Sequence, residues 1–221
     1  MSERIQAITD IGQPARLDGY MDVLQMLSGA VLTLFMWGHM ILVASVNLGS
    51  RVMNAIAAFL EDMYMVQTAG PVIALIFLFH FILAARKMPF RGREQAVLWR
   101  HSLRLDHFDT WLWIVQVVTA LIILVLGTVH MWTVLTNLPI TAAKSAARVQ
   151  GGWWLAAYLV LLPMVELHTG IGFYRIGVKW GWIRRSNRTP MKGYEKIMTT
   201  AFVVVGVITL FTLFFIIEAQ R

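Results

Sequence analysis

Five long apolar stretches constrain what this chain can fold into. Each is longer than the ~20 residues that an α-helix needs to cross the hydrocarbon core of a bilayer. Hydrophobic residues make up 58% of the 221 residues and charged residues only 14%, a balance typical of membrane proteins. The sequence therefore predicts one all-α integral membrane domain over residues 1–221. Its spanning helices are predicted at about 21–49, 63–88, 106–135, 153–180 and 194–217.

The basic residues predict how the chain is oriented. Of the 19 lysines and arginines, 15 lie in the N-terminal tail, in the connection at 86–107, and in the connection between the fourth and fifth stretches together with the helix ends that flank it. Cytoplasmic loops of membrane proteins are enriched in these residues, so we expect the N-terminus and both basic connections in the cytoplasm. The net charge of +7 is thereby explained by topology rather than by nucleic-acid binding.

Four histidines, one in each of the first four apolar stretches, are the candidate functional residues. An ionisable side chain surrounded by hydrocarbon is a functional-site hypothesis by default. One such histidine could simply hydrogen-bond across a helix bundle, but one in each of four consecutive spans indicates a shared purpose. They are His39, His80, His130 and His168.

The depth of these histidines in the membrane predicts how they pair. His39 lies about ten residues, and His130 about five, from the outer ends of their helices at ~1.5 Å per residue. His80 lies about eight residues, and His168 about twelve, from the cytoplasmic ends. The sequence thus predicts an outer pair and an inner pair, the arrangement that two bis-histidine haems b require.

Ligand chemistry favours haem over other metal groups. Neutral imidazole is a common metal ligand, and two axial histidines saturate haem iron, leaving electron transfer as its chemistry. Zinc would recruit further ligands at the same level, and none is obvious. The absence of cysteine excludes an iron–sulfur cluster held by this chain and covalent haem attachment. Each histidine is expected to donate its other ring N–H to the carbonyl one turn earlier in its own helix.

Several glycines near the histidines are expected to leave space for a flat macrocycle. The alternative is that they are ordinary small residues at helix contacts. They are Gly38, Gly127, Gly170 and Gly172.

Four segments carry a family resemblance that covers nearly the whole chain. They are FMWGHM, HFDTWLWIVQ, LGTVHMW and YLVLLPMVELHTGIGFYRIGVKWGW. On these segments the chain resembles the dihaem cytochrome b subunits of quinol:fumarate reductases, within the succinate:quinone oxidoreductase family. The resemblance implies that His80 and His168 ligate the iron of the haem nearer the cytoplasm. It likewise implies that His39 and His130 ligate the outer one.

The resemblance also implies a reaction and a set of partners. The chain would oxidise menaquinol in the bacterial inner (cytoplasmic) membrane and pass electrons to an iron–sulfur subunit for fumarate reduction in anaerobic respiration. That subunit and a flavoprotein with the dicarboxylate site would bind the cytoplasmic face, and the assembly could be a dimer of heterotrimers. The opposite direction, succinate oxidation by quinone, stays open.

Two carboxyl groups receive roles from the resemblance. Glu61 matches the glutamate that accepts the quinol's proton. Without the resemblance, Glu61 and its neighbour Asp62 would be interpreted as ordinary solvated charges. Glu166 matches the glutamate of a transmembrane proton path. A carboxyl group ~18 Å inside the membrane needs a reason in any case.

Further residues match family positions near the haem propionates: Gln25, Trp113, Arg148 and Lys179. Without the resemblance, Arg148 and Lys179 would be basic anchors at the membrane surface. Met26 departs from the pattern, which has a hydroxyl side chain there. His107, at the start of the third span, is a further candidate propionate contact, or else a surface histidine.

Two other functions remain as alternatives. Dihaem cytochromes serving a hydrogenase, formate dehydrogenase or nitrate reductase share histidines at two levels, but they lack the VELH…YR…KWGW segment. A proton-coupled transporter could line its pathway with the histidines and Glu166. That class predicts internal repeats, which the sequence does not contain.

Overall fold

The computed structural model of the protein describes residues 16–89, 91–105 and 108–215. Over these ranges the chain forms helices and no strand, which confirms the all-α prediction. The α-helices are α1 (Arg16–Ala44), α2 (Ser50–Asp62), α3 (Met65–Ala85), α4 (Gly92–Leu105), α5 (Phe108–Leu135), α6 (Ala142–Gln150), α7 (Trp153–Lys179) and α8 (Arg188–Phe215).

Five helices, α1, α3, α5, α7 and α8, are long and apolar enough to cross a membrane. Much of their apolar surface faces outward: the side chains of Leu75, Ile82 and Val125 are each more than half exposed. Because α-helices satisfy their own backbone hydrogen bonds, they can present such surfaces to lipid. The predicted count of five spanning helices is confirmed.

The spanning helices pack in chain order. Helix α1 packs on α3, α3 on α5 and α5 on α7, and α7 also touches α1, so these four form a bundle. Helix α8 packs outside it, against α7 and α1. In a bundle connected in this way, α1 lies diagonally across from α5, and α3 lies diagonally across from α7. This diagonal relation decides which histidines can face each other.

The short helices α2 and α6 cap one end of the bundle. Their apolar faces pack around a buried cluster that includes Met53, Ala146, Val149 and Leu213. Residues 136–151 lie between the third and fourth predicted spans, and α6 occupies most of them. Its helix is short and only its apolar face is buried, so the surrounding Gly and Pro residues dominated the sequence pattern.

The basic connection at 86–107 also contains a helix, α4, where a loop was expected. The high charge of this segment concealed its amphipathic pattern. Ser102 of α4 is fully buried, whereas Trp99 and Leu103 are more than half exposed. Trp99 packs edge-on against Trp111 of α5, with ring centroids 5.7 Å apart.

Helix ends differ from the predicted ones by a few residues. Helix α1 begins at Arg16 rather than 21, and α8 begins at Arg188 rather than 194. The C-terminal end of the first span tightens into a 3₁₀ turn, Ser45–Leu48, before Gly49, whose φ of 116° favours glycine. Helix α3 begins at Met65, after Tyr64 in the left-handed conformation.

Candidate functional site

The structure brings His39 and His130 together across the bundle. They project from the diagonal helices α1 and α5, and their ring centroids are 5.8 Å apart with an interplanar angle of 51°. His39 also stacks on Phe35 of its own helix at 5.9 Å. Two side chains therefore meet between helices that are not adjacent.

The geometry of this outer pair fits a metal held between two imidazoles. A metal ion ~2 Å from one nitrogen of each ring would separate the ring centroids by about 6 Å. The Nδ1 atom of His130 is 3.1 Å from the Tyr158 hydroxyl, which leaves Nε2 for a metal. In the described ranges no group of three or more His, Asp or Glu could hold a metal ion. The residues fit two axial haem ligands rather than a closed zinc site.

The second diagonal pair, His80 on α3 and His168 on α7, interacts electrostatically across the bundle. His80 is held on α1, where its Nδ1 lies 3.0 Å from Ser28 Oγ and beside the Gln25 carbonyl. The ring packs tightly on α1, because a Cβ at Gly29 would lie 2.9 Å from its Cε1 atom.

His168 is held in the same manner on α5. Its Nδ1 lies 3.1 Å from Thr119 Oγ1 and 3.2 Å from the Gln116 carbonyl oxygen. A carbonyl only accepts, so Nδ1 carries the hydrogen and Nε2 keeps the lone pair that a metal needs. The expectation that each histidine donates to its own helix was wrong for His80 and His168. Their rings extend into the bundle and reach the adjacent helix instead.

Basic side chains gather at the end of the bundle that the sequence predicts to be cytoplasmic. Asp22, one turn before Gln25 on α1, forms ion pairs with Arg86, Lys87 and Lys179. Arg86 also pairs with Asp18 at 3.0 Å, so three cations from α7 and the end of α3 meet two carboxylates near the predicted propionate residue Gln25. A site with this cationic surplus can accept further carboxylates.

The remaining predicted propionate residues lie at two different levels. Trp113 lines a groove together with Arg86, at the end of the bundle that carries Asp22. Arg148 lies on α6 at the opposite end of the bundle, where it interacts electrostatically with Tyr158 and His130. His107 lies outside the described residues.

Glu61 lies in the last turn of α2, at the end of the bundle opposite to Asp22. Its Oε1 atom accepts a hydrogen bond from the backbone N–H of Ile140, and Asn54 Oδ1 accepts one from Ala142 at 2.8 Å. Glu61 therefore helps to fasten the connection between α5 and α6. In the described part of the chain, only Oε1 of this carboxylate has a hydrogen-bond donor.

Glu166 is buried in α7 with 4% exposure, and its Oε1 atom has no hydrogen-bond partner among the described residues. Residues 162, 166 and 170 share one helix face. Leu162 fills the space beside Gly206 of α8, and a Cβ at Gly170 would lie 2.5 Å from Glu195 Oε1 of α8. Glu166 therefore faces α8. Gly170 makes room for Glu195, not for a macrocycle as expected.

Sequence reasoning missed several residues of this site: Gly29, Ser28, Thr119, Tyr158 and Glu195. A signal for the two hydroxyls existed, since each follows a glutamine by three residues within an apolar helix. The other three become apparent only when the helices are packed.

The fold and site together define a polytopic membrane bundle with paired histidines at two depths. The chain belongs to the succinate dehydrogenase/fumarate reductase transmembrane subunit family, which matches residues 92–215. It is 31% identical over 220 residues to the fumarate reductase cytochrome b subunit of Wolinella succinogenes, covering 94% of this chain and 86% of that protein. The protein of the same name from Helicobacter pylori is 32% identical over 199 residues, covering 86% and 78%. The resemblance seen in the sequence is confirmed.

Proposed function

We propose that this chain is the membrane-anchoring, quinol-oxidising cytochrome b subunit of a quinol:fumarate reductase and that it binds two haems b. The observation that carries the proposal is the pair of histidines on each diagonal of the bundle, in a family whose similar members are named cytochrome b subunits. The same architecture would serve the reverse reaction, in which a quinone accepts electrons from succinate oxidation.

The chain's own side chains have defined parts in this proposal. His39 and His130 would ligate the outer haem iron, and His80 and His168 the inner one. Each haem, when bound, supplies one-electron transfer. Gln25, Trp113 and Lys179 would bind propionates at the cytoplasmic end, where cations exceed carboxylates. Arg148 would do so at the outer end.

The partners would bind at the cytoplasmic face, with the N-terminus on that side in a bacterial inner membrane. A flavoprotein subunit would hold the dicarboxylate site and an iron–sulfur subunit would accept the electrons. Helix α4 supports a docking role because its basic surface also exposes the large apolar side chains Val97, Trp99 and Leu103. Two heterotrimers could associate as a dimer.

Glu61 would take a proton from menaquinol at the outer surface. A general base must be fixed within hydrogen-bond reach of the proton it removes. The bond from the Ile140 amide orients the carboxylate through one oxygen, which leaves the other to face a substrate hydroxyl.

Glu166 would carry protons inward. Electrons that cross from an outer quinol site to an inner acceptor move charge against the membrane potential, at about 2.3 kcal/mol per charge per 100 mV. A proton moving with each electron cancels that cost. The position of Glu166 supports this role: it is buried mid-helix facing α8, and Glu195 lies one turn nearer the cytoplasmic end.

The direct test is spectroscopy of the purified complex. The reduced-minus-oxidised spectrum should show b-type bands with two haems per chain, and menaquinol analogues should drive fumarate reduction anaerobically. A proton-coupled transporter would show no such bands. An assay in both directions establishes which reaction dominates.

A further inference from the structure

Two hydroxyl side chains make the same contact with the two histidines of the inner pair. Ser28 of α1 lies 3.0 Å from His80 Nδ1, and Thr119 of α5 lies 3.1 Å from His168 Nδ1. Both hydroxyl residues are buried, with 8% and 2% exposure. In both cases the hydroxyl belongs to the helix packed beside the one that carries the histidine.

The direction of these hydrogen bonds follows from the partners of the hydroxyls. Ser28 Oγ donates to the Leu24 carbonyl at 2.8 Å, and Thr119 Oγ1 donates to the Val115 carbonyl at 2.9 Å. A hydroxyl has one hydrogen, so once it is donated the oxygen can only accept from the ring. With its hydrogen donated in this way, each hydroxyl accepts from a ring whose Nδ1 is protonated, and the Gln116 carbonyl, which can only accept, fixes this tautomer for His168.

A backbone carbonyl completes each contact. The Gln116 carbonyl, three residues before Thr119, accepts from His168 at 3.2 Å, and the Gln25 carbonyl, 3.1 Å from Ser28 Oγ and three residues before it, occupies the equivalent place beside His80. The sequences QMLS and QVVT thus present the same pair of acceptors, a carbonyl and a hydroxyl, to one ring N–H. We call each pair a Gln-x-x-Ser/Thr clamp.

The α5 clamp is itself held from the facing helix. The Gln116 side chain accepts a hydrogen bond from Arg175 Nη1 at 2.6 Å. Gln116 is therefore tied to α7, the helix that carries His168. On α1 the lack of a Cβ at Gly29 lets the His80 ring pack directly against the helix that carries its clamp. Both rings are thus fixed in orientation as well as in protonation.

We propose that Ser28 and Thr119 are positioning residues of the inner haem. Their clamps hold His80 and His168 as Nδ1–H tautomers, with Nε2 directed to the bundle centre, and strengthen electron donation by both rings. A hydrogen bond accepted from a ligating imidazole raises its basicity. Because a more basic ligand stabilises the ferric state, the clamps lower the reduction potential of the inner haem. This inference rests on the proposed haem ligation by His80 and His168.

The test uses the intact purified complex with Thr119→Val, which replaces the hydroxyl by a methyl of equal size, and with Ser28→Ala. Both variants should retain two haems per chain. In redox titrations followed in the visible bands, the inner haem should shift to higher potential while the outer haem stays at its wild-type value. The low-spin ferric EPR signal of the inner haem should shift as well. Thr119→Ser, which keeps a hydroxyl, should restore wild-type values.

Matched controls lie in the same helices. Thr33 of α1 and Thr133 of α5 bond their own helix, to the Gly29 carbonyl at 2.9 Å and the Val129 carbonyl at 2.8 Å. Thr33→Val and Thr133→Val should leave both potentials unchanged. Wild-type potentials and EPR signals in both Thr119→Val and Ser28→Ala would overturn the proposal while leaving haem ligation intact. Retention of both haems in His80→Ala and His168→Ala would instead refute the ligation itself.

Discussion

The inner and outer histidine pairs use the same ligand chemistry in different surroundings. Each inner ring is held by a carbonyl and a hydroxyl of the adjacent helix. In the outer pair, His130 bonds the Tyr158 hydroxyl, which is linked to Arg148, and His39 stacks on Phe35. The inner rings therefore contact a carbonyl and a hydroxyl, whereas His130 of the outer pair contacts a phenol; a cation lies near each level, Arg175 at the inner and Arg148 at the outer. The two levels should respond to different mutations.

The largest expected effect is at the outer end. Glu61→Gln should lower quinol-driven fumarate reduction by at least about 100-fold, because general-base catalysis contributes ~10²–10⁴-fold. Succinate oxidation by an artificial dye, which bypasses this subunit, should be unchanged. Asp62→Asn, next to it and exposed, is the matched control. Normal quinol turnover in Glu61→Gln would show that Glu61 has only a structural role, through its hydrogen bond with Ile140.

At the level of the inner histidine pair, Glu166→Gln should block quinol-driven turnover while both haems stay bound. The substitution keeps the shape of a buried side chain whose Oε1 has no partner in the described ranges, so it removes the titratable group with little change in packing. Turnover is measured per haem-replete complex. A purely structural role predicts lower stability with wild-type turnover, and that result would end the relay hypothesis.

Two glycine substitutions test whether the His80 ring packs tightly on α1. Gly29→Ala should weaken inner haem retention several-fold, because the new Cβ would lie 2.9 Å from the His80 ring. Gly127→Ala meets Ile123 and Phe77 at 3.5 and 3.8 Å, ordinary contacts, and should be tolerated. Haem-to-protein ratios measure both. Equal haem loss in the two variants would contradict the tight packing of His80 on α1.

The smallest effect expected is that of Tyr158→Phe on the outer haem. Loss of one hydrogen bond worth ~1 kcal/mol corresponds to about 40 mV for a one-electron couple. The outer potential should rise by that order, since the bond to His130 supports ligand basicity, and the inner potential should not move. Redox titration resolves the two. A shift confined to the inner haem would show that the levels are assigned in reverse.

The sequence predicted the five spans because long apolar stretches are recognised by hydropathy alone. It singled out the four histidines because each is an ionisable residue inside such a stretch. The pairing by depth needed only the helical rise, and the diagonal packing agrees with it. Helices α4 and α6 were missed, since charge in one and glycine and proline around the other concealed short amphipathic patterns.

The partners of the histidine rings could not be predicted from local sequence. Which atom meets Nδ1 depends on how two helices are rotated and shifted against each other, so Ser28 and Thr119 were overlooked. Gly170 illustrates the same limit. Its position near His168 suggested space for a macrocycle, but packing of α8 fills that space with Glu195 and Thr199.

Double substitutions test the central claim, that the diagonals of the bundle define two separate haem sites. His80→Ala with His168→Ala should leave one haem per chain, with the spectrum and potential of the outer site. His39→Ala with His168→Ala should leave no haem, because it removes one ligand from each of the two histidine pairs. The haem-to-protein ratio of these two purified variants is the decisive measurement. One haem retained in the second variant and none in the first would contradict the account.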